Sequence, residues 1–304
     1  MESPTHSTGI DEIQHLEALR LSSQRLYIAC PICERDNSRL RFEVKGYKLV
    51  ECTGCGLVYV NPRRTDVFSI YSDQYFADEN YYINYEASRK AYRKGFRSKL
   101  KVLREVVGKG NLLDVGCAFG DFMDESTSFG FTPHGVELAP HAAQIASATG
   151  PVYCGDWLAY ESHSVFDVVC FIDSLEHFEN PVHAIRKAGK VLRKDGYLGI
   201  MVPNIGSWFA RLSGPRWHLI LPEEHLFYFN RESMHRLLRQ EGFQAVYEAT
   251  SGYGRSLSDI LAVLLRGTGL GARLSRSPLN KIAFEINLGD LFVIAKQVEK
   301  AGQT

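Results

Sequence analysis

From Asn111 to Pro203 the chain alternates short apolar runs with amphipathic helical stretches, a rhythm that admits few architectures. Apolar runs fall at Leu112–Gly116, Pro133–Leu138, Val152–Gly155, Phe166–Asp173 and Gly196–Pro203. Helical patterns lie between them near Asp121–Ser128, Pro140–Ala148 and Val182–Leu192. A run such as FDVVCFI is apolar on both faces, as a strand must be when helices cover both sides of a parallel sheet. The expected core is a doubly wound α/β sheet. After Pro203 the rhythm gives way to a Trp- and Pro-containing cap loop, 204–230. A helix then resumes at Arg231–Glu241, with strands at Phe243–Thr250 and Asp290–Lys296. The stretch 254–284 reads as an insertion with a helix at Ser258–Leu265.

A second constraint lies upstream. Cys30, Cys33, Cys52 and Cys55 form C-x2-C-x18-C-x2-C, the spacing of a four-thiolate zinc site. Two residues between paired cysteines let both sulfurs reach one tetrahedral ion. The intervening RLRFEVKGYKLVE alternates and turns at Gly46 as a hairpin would, and Leu57–Val60 supplies a third strand. The segment 27–62 is therefore expected to be a zinc ribbon. A piece of about 35 residues buries too little to fold alone, which makes a structural role for the metal the simplest expectation. Cys117, Cys154 and Cys170 lie on strands or strand ends and read as small buried residues.

Residues 1–26 read as weakly ordered, and 63–108 as an aromatic lid followed by a helix from Tyr85 to Val107. Tyr75, Tyr81, Tyr82 and Tyr85 are lid candidates. Tyr92, Phe96, Leu100, Leu103 and Val107 form the helix's apolar face. Arg89, Lys90, Arg93, Lys94, Arg97, Lys99, Lys101 and Arg104 form a basic face read as solvated. The 35 Lys and Arg balance 35 Asp and Glu, so no bulk positive charge draws the chain to nucleic acid or to a membrane surface. The first residues lack the basic-then-apolar pattern of a secretory signal, and no apolar run reaches the roughly 18 residues of a membrane span. The expectation is a cytoplasmic protein with no membrane span and no nucleic-acid partner.

The chemistry concentrates at the first strand–helix turn, LLDVGCAFG, from Leu112 to Gly120. Small residues there let a ligand approach the backbone, and the following helix offers free N–H groups. A dinucleotide fingerprint needs G-x-G-x-x-G, whereas this run has Ala118 at the second position and Asp121 at the last. Asp114 would also repel a pyrophosphate. A ligand with no phosphates and a positive charge fits better, and S-adenosylmethionine carries an ammonium and a sulfonium. Glu137 ends the second strand, with Leu138 beside it, at about the offset where an acid bonds ribose hydroxyls. Asp156 follows the third strand and is placed to accept from an adenine amine while Trp157 packs on the ring.

With DVGCAFG, GVEL, GDW, FDVVCFIDSLEH, VLRKDGYLGIMVPN and PEEHLFYF in order, the chain resembles the class I S-adenosylmethionine-dependent methyltransferases over 85–296. The resemblance implies a Rossmann-like sheet of seven strands, mostly parallel, with the last strand, DLFVIAK, antiparallel. The methyltransferase domain would span 109–304. The resemblance also implies that Asp114 and its loop, Gly116-Cys117-Ala118 through Gly120, hold the methionine end of the cofactor. Glu137 and Leu138 would then take the ribose, and Asp156 and Trp157 the adenine. Ala118 replaces the common middle glycine, and Lys194-Asp195-Gly196-Tyr197 replaces the usual K-P-G-G.

Open parallel sheets bind beyond the carboxyl ends of their strands, so Asp173-Ser174-Leu175-Glu176-His177 should face the transferable methyl. His177 is a candidate base. Asp173, Glu176 and His177, with His225 further on, resemble the metal-ligand set of the ubiquinone-pathway O-methyltransferases and of small-RNA 2′-O-methyltransferases. That resemblance implies a second divalent ion such as magnesium, with Asp173 a shorter stand-in for Glu. Trp208, Trp217, Phe227 and Tyr228 read either as acceptor-pocket lining or as core of the cap. The expected activity is methylation of a small-molecule acceptor, at oxygen, on a sugar, glycolipid or related metabolite. An RNA methyltransferase gripping phosphates with ribbon and basic helix is the rival, and a non-catalytic cofactor-binding scaffold the third reading.

Overall fold

The computed structural model describes residues 25–65, 79–162, 164–256 and 283–298. The expected weak order of the first residues, Tyr75 and the helix at Ser258–Leu265 lie outside the described residues, as do the side chains of Tyr81, Tyr82 and Tyr85. Strands β1 (Arg25–Leu26), β2 (Ser38–Val44), β3 (Tyr47–Cys52), β4 (Val58–Val60) and β5 (Arg63–Arg64) precede the long helix α1 (Glu79–Val107). The α/β unit follows as β6 (Gly110–Val115), α2 (Asp121–Thr127), β7 (Phe131–Glu137), α3 (Pro140–Ala146), β8 (Val152–Cys154), β9 (Phe166–Ile172), α4 (Pro181–Val191) and β10 (Leu192–Pro203). Next come α5 (Trp208–Ser213), β11 (Phe227–Tyr228), α6 (Arg231–Gln240), β12 (Phe243–Ser256) and β13 (Ala283–Gln297).

Seven strands form one sheet in the order β12-β13-β10-β9-β6-β7-β8. Strand β13 runs antiparallel between β12 and β10, while β10, β9, β6, β7 and β8 pair in parallel. The apolar run at 290–296 is therefore the antiparallel strand that was expected. Both arms of this hairpin are longer than the pattern suggested, however. They stay paired as far as Ser256 and Ala283, so the insertion's ends belong to the sheet.

The two-faced apolarity of the strands has a direct cause. Leu112, Val168, Cys170, Met201, Phe292 and Ile294 pack under Leu100 and Leu103 of α1 and Phe122 of α2. Their neighbours Leu113, Val169, Phe171, Ile200 and Val293 pack on the opposite side, against α4 and α6. Side chains alternate along a strand, so a sheet sandwiched by helices is apolar at every step. Cys170 is fully buried here and Cys117 nearly so, whereas Cys154 is exposed, contrary to its reading as buried.

The basic face of α1 is not simply solvated. Arg93 pairs with Asp121, Asp124 and Glu125, and Arg97 with Glu125, so α1 is clamped to α2 by ion pairs. Lys99 is buried and donates to the carbonyl of Gly252 on β12.

The cysteine segment is the meander expected. Lys45 and Gly46 (φ 51° and 75°) make the two-residue turn between β2 and β3 whose twist suits a hairpin. The sheet has a fourth strand from elsewhere: its order is β11-β4-β3-β2, and β11 comes from the cap loop. Ile32, Leu57 and Tyr59 share one apolar core with α4 and α6. Asn230 Nδ2 donates to Gly56 O (2.8 Å), Arg236 to Gly54 O (3.1 Å) and Arg63 to Glu179 O (2.6 Å).

Candidate active site

The chain leaves β6, fills β7 and β8 on one side, then returns to place β9 on the other. The crevice beyond the carboxyl ends of β6 and β9 is therefore the topological switch point, where open α/β sheets bind ligands. Gly116 (φ 78°), Ala118 (φ 46°) and Gly120 (φ 80°) turn the chain sharply from β6 into α2. A Cβ on Gly116 would lie 2.8 Å from the Cβ of Ser174, the residue whose hydroxyl donates to Val115 O at 2.6 Å. The missing side chain thus lets the two strand-end loops close on one another. Ala118 occupies the left-handed region without glycine's freedom, and its amide is fixed by donating to Glu137 Oε2 at 2.8 Å.

Glu137 ties the cradle together. Its other oxygen accepts from the Ala139 amide at 2.9 Å, so one carboxylate bridges the glycine turn and the β7–α3 turn. Burial pushes its pKa up, and those amide donors pull against the shift. Asp114 differs. It is 2% exposed, Oδ1 has no hydrogen-bond partner, and its pKa is pushed up to about 8 by burial and then by the charge of Glu137. A buried carboxyl with an orphan oxygen beside a glycine turn leaves an acceptor that a donor group could satisfy. Cys117 lies in the same turn, buried, its thiol pushed well above the usual range.

Asp156 caps a single 3-10 turn at Trp157–Ala159, accepting from Leu158 N at 3.0 Å. Trp157 is 2% exposed, donates to Ala184 O at 3.2 Å and packs edge-on against Phe171. Its ring is largely covered, stacked by Tyr160 and approached by Lys187. Leu138 follows Glu137 and is half-buried.

Beyond β9, a 3-10 turn at Leu175–His177 carries Glu176 and His177 toward His225. Glu176, His177 and His225 have ligand-capable atoms all within 4.8 Å of one another, and the two imidazoles meet edge to face at 4.8 Å. Asp173, in the left-handed region at φ 51°, is not part of this trio, so the structure gathers three of the four residues read as a set. His177 Nδ1 lies 3.0 Å from Glu224 O and His225 Nδ1 lies 3.0 Å from Leu219 O. A carbonyl only accepts, so each Nδ1 carries the proton and each Nε2 carries the lone pair. Burial lowers His177 to about 4 and His225 well below its usual range, so both are neutral near pH 7.

Glu176 is fully buried, neither carboxyl oxygen has a hydrogen-bond partner, and burial lifts its pKa to about 8, with Asp290 adding to the rise. Asp290, whose charge bears on Glu176, is a residue that sequence reasoning did not single out. It opens the apolar part of β13 opposite Pro203, and because β13 is antiparallel, that end lies at the ligand edge of the sheet. An acid just ahead of an antiparallel strand was the available signal. Trp217, Phe227 and Tyr228 are buried in the cap core, while Trp208 is 67% exposed.

The four cysteines converge as their spacing required. Cys30 and Cys55 sulfurs lie 3.4 Å apart, as do those of Cys33 and Cys52, and all four fit within 4.8 Å. A tetrahedral zinc with thiolate arms of about 2.3 Å needs sulfurs about 3.8 Å apart, so the quartet fits that ion. None of the four is in a disulfide.

The Methyltransferase domain family model matches residues 88–248. No curated protein matches the chain significantly in sequence. Among solved structures, a methyltransferase dependent on S-adenosylmethionine from Thermotoga maritima is 18% identical. It covers 76% of this chain and 99% of its own, with a TM-score of 0.50. One from Archaeoglobus fulgidus is 17% identical and covers 72% and 100%, at 0.50. A 1,6-didemethyltoxoflavin-N1-methyltransferase from Burkholderia thailandensis is 14% identical and covers 86% and 100%, also at 0.50. The fold is the Rossmann-like methyltransferase fold.

Proposed function

This chain belongs to the Methyltransferase domain family and is a methyltransferase dependent on S-adenosylmethionine, and on that premise we propose that it methylates an oxygen of a small sugar- or polyol-like acceptor held beside Glu176, His177 and His225. The observation that carries this reading is the pair of facing imidazoles, His225 buried and His177 half-buried, each with Nδ1 3.0 Å from a backbone carbonyl. Glu176 and His177 follow directly on β9, at the edge of the sheet where the cofactor crevice opens, and an acceptor hydroxyl bound there would need its proton taken.

The cofactor supplies a methyl on a sulfonium with a good leaving group. In the cradle, Asp114 in its ionised form would hold the ammonium and Glu137 would accept from the ribose hydroxyls, while Gly116, Cys117, Ala118 and Gly120 shape the turn. Leu138 and Asp156 would border the adenosine. His177 Nε2 would take the hydroxyl proton as the acceptor oxygen bonds to the methyl carbon and the carbon–sulfur bond breaks, the sulfur keeping the electron pair. Alignment contributes most of the acceleration, and proton removal adds about 10²–10⁴-fold.

Zinc is assigned to Cys30, Cys33, Cys52 and Cys55 as a structural ion. A divalent ion at Glu176, His177 and His225 would supply positive charge to an acceptor hydroxyl. With two imidazoles to one carboxylate, that set suits zinc or iron better than magnesium. Against an RNA acceptor, Arg93 and Arg97 are engaged by α2 acids and Lys99 is buried, which strips the basic helix of three of its cations. Among the described residues no helix is long and apolar enough to cross a membrane.

The test incubates the protein with labelled cofactor and separated small-molecule and RNA fractions of its source cells. Label should enter a small-molecule fraction. His177→Gln and His225→Gln should each lower that transfer at least about a hundredfold while S-adenosylhomocysteine affinity stays unchanged. Label in RNA alone, or full transfer by both variants, refutes the assignment. Cofactor binding with no transfer to any fraction would favour the scaffold.

A further inference from the structure

We propose that the four-cysteine ribbon is the frame of the acceptor side: its strand β4 holds β11, and with it His225, against the Glu176 turn, so that metal loading at the cysteines governs methyl transfer without governing cofactor binding. The proposal rests on the acceptor-side reading of His177 and His225 given above.

The connection is short and made of backbone. Cys55 is followed directly by Gly56, whose carbonyl is held by Asn230, and then by β4 at Val58–Val60. Strand β4 pairs with β11 through Tyr59–Phe227 and Val58–Tyr228, and the Val60 amide donates to Leu226 O at 3.0 Å. Leu226 adjoins His225, and its own amide donates to Glu176 O at 2.9 Å. One residue, Leu226, is thus bonded on one side to the ribbon and on the other to the active-site turn. His177 is tied to the same segment through Glu224 O.

The cofactor cradle is held differently. Gly116 N donates to Val136 O of β7 at 2.8 Å, and Ser174 Oγ donates to Val115 O, so that turn hangs on the parallel sheet. The two cysteine turns of a ribbon this small depend on the ion that joins them, and the core shared with α4 and α6 replaces only part of that support. Metal loss should therefore loosen β4 and β11 and leave β6 and β7 intact. A two-residue strand such as β11 has no independent stability and follows the strand it pairs with.

The experiment compares zinc-loaded and chelator-stripped full-length protein by hydrogen exchange, calorimetry with S-adenosylhomocysteine, and methyl transfer. On stripping, amides of 222–229 should exchange at least about tenfold faster, while those of 110–137 change less than about twofold. S-adenosylhomocysteine affinity should hold within about threefold and transfer should fall at least about tenfold, both restored by zinc. Cys33→Ser, altering the most exposed ligand, should behave as the stripped protein and gain no protection at 222–229 when zinc is added. Unchanged exchange at 222–229 overturns the proposal, as does parallel loss of cofactor binding. Zinc-dependent protection in Cys33→Ser also overturns it, since the ion would then act at Glu176, His177 and His225 directly. If instead His177→Gln and His225→Gln both transfer normally while 222–229 still responds to metal, the acceptor-side reading fails and the ribbon coupling stands.

Discussion

Asp114 and Glu137 are both acids buried at strand ends, and they meet burial in opposite ways. Glu137 accepts two backbone amides and is held as a fixed acceptor. Asp114 keeps an orphan oxygen, and its pKa rises from 3.8 to about 8. Because the folded value lies above the unfolded one, the stability linked to this carboxyl is complete below the unfolded value and is lost as pH rises through about 8. A bound ammonium reverses the preference by favouring the ionised form. Two outcomes are expected from calorimetry. The unliganded protein should lose more stability between pH 5 and pH 9 than Asp114→Asn does. S-adenosylhomocysteine should bind about tenfold or more tightly at pH 8.5 than at pH 6.5, with that slope absent in Asp114→Asn. Equal slopes in both proteins would remove Asp114 from the cofactor site. At this scale the acids at 114 and 137 were legible because strand-end positions follow from the apolar pattern. The burial of Trp157 was not, since nothing local says that α4 covers its ring.

Helix α1 shows how an element's surroundings alter its meaning. By spacing alone, Arg93 and Arg97 belong to a solvated basic stripe. In the fold, α2 lies across that stripe with Glu125 and Asp121 almost fully buried. Arg93→Ala would leave both acids in place without their shared cation, so a loss of about 2–3 kcal/mol is expected in chemical denaturation. The double variant with Glu125→Gln should recover part of it. If Arg93→Ala unfolds as the parent does, the clamp contributes nothing. The boundaries of β6, β7, β8, β9 and α4 were legible to within a residue or two, because strand and helix periods differ and their ends are marked by Gly, Pro and Asn. The lengths of β12 and β13 were not. Their outer arms are paired to each other, and pairing leaves little trace in the apolar pattern of either strand.

In the whole molecule, ribbon and α/β unit share one apolar core, so they should melt together while the cysteines hold their ion. Scanning calorimetry of the zinc-loaded protein should give a single transition. After chelation a smaller one should separate at lower temperature, its ribbon peptides losing exchange protection first. Two transitions in the loaded protein would mean that the shared core does not couple them. The sequence by itself determined the parallel sheet, the ribbon, the glycine turn and its two acids, because each depends on contacts within a few residues or on a period that repeats. What only the tertiary structure decided was which distant segments meet: α1 with α2, β11 with β4, His225 with His177, and Asp290 with the edge of β10. Those meetings follow from how a twisted sheet stacks its covering elements, and chain spacing does not encode a distance that is closed only by packing.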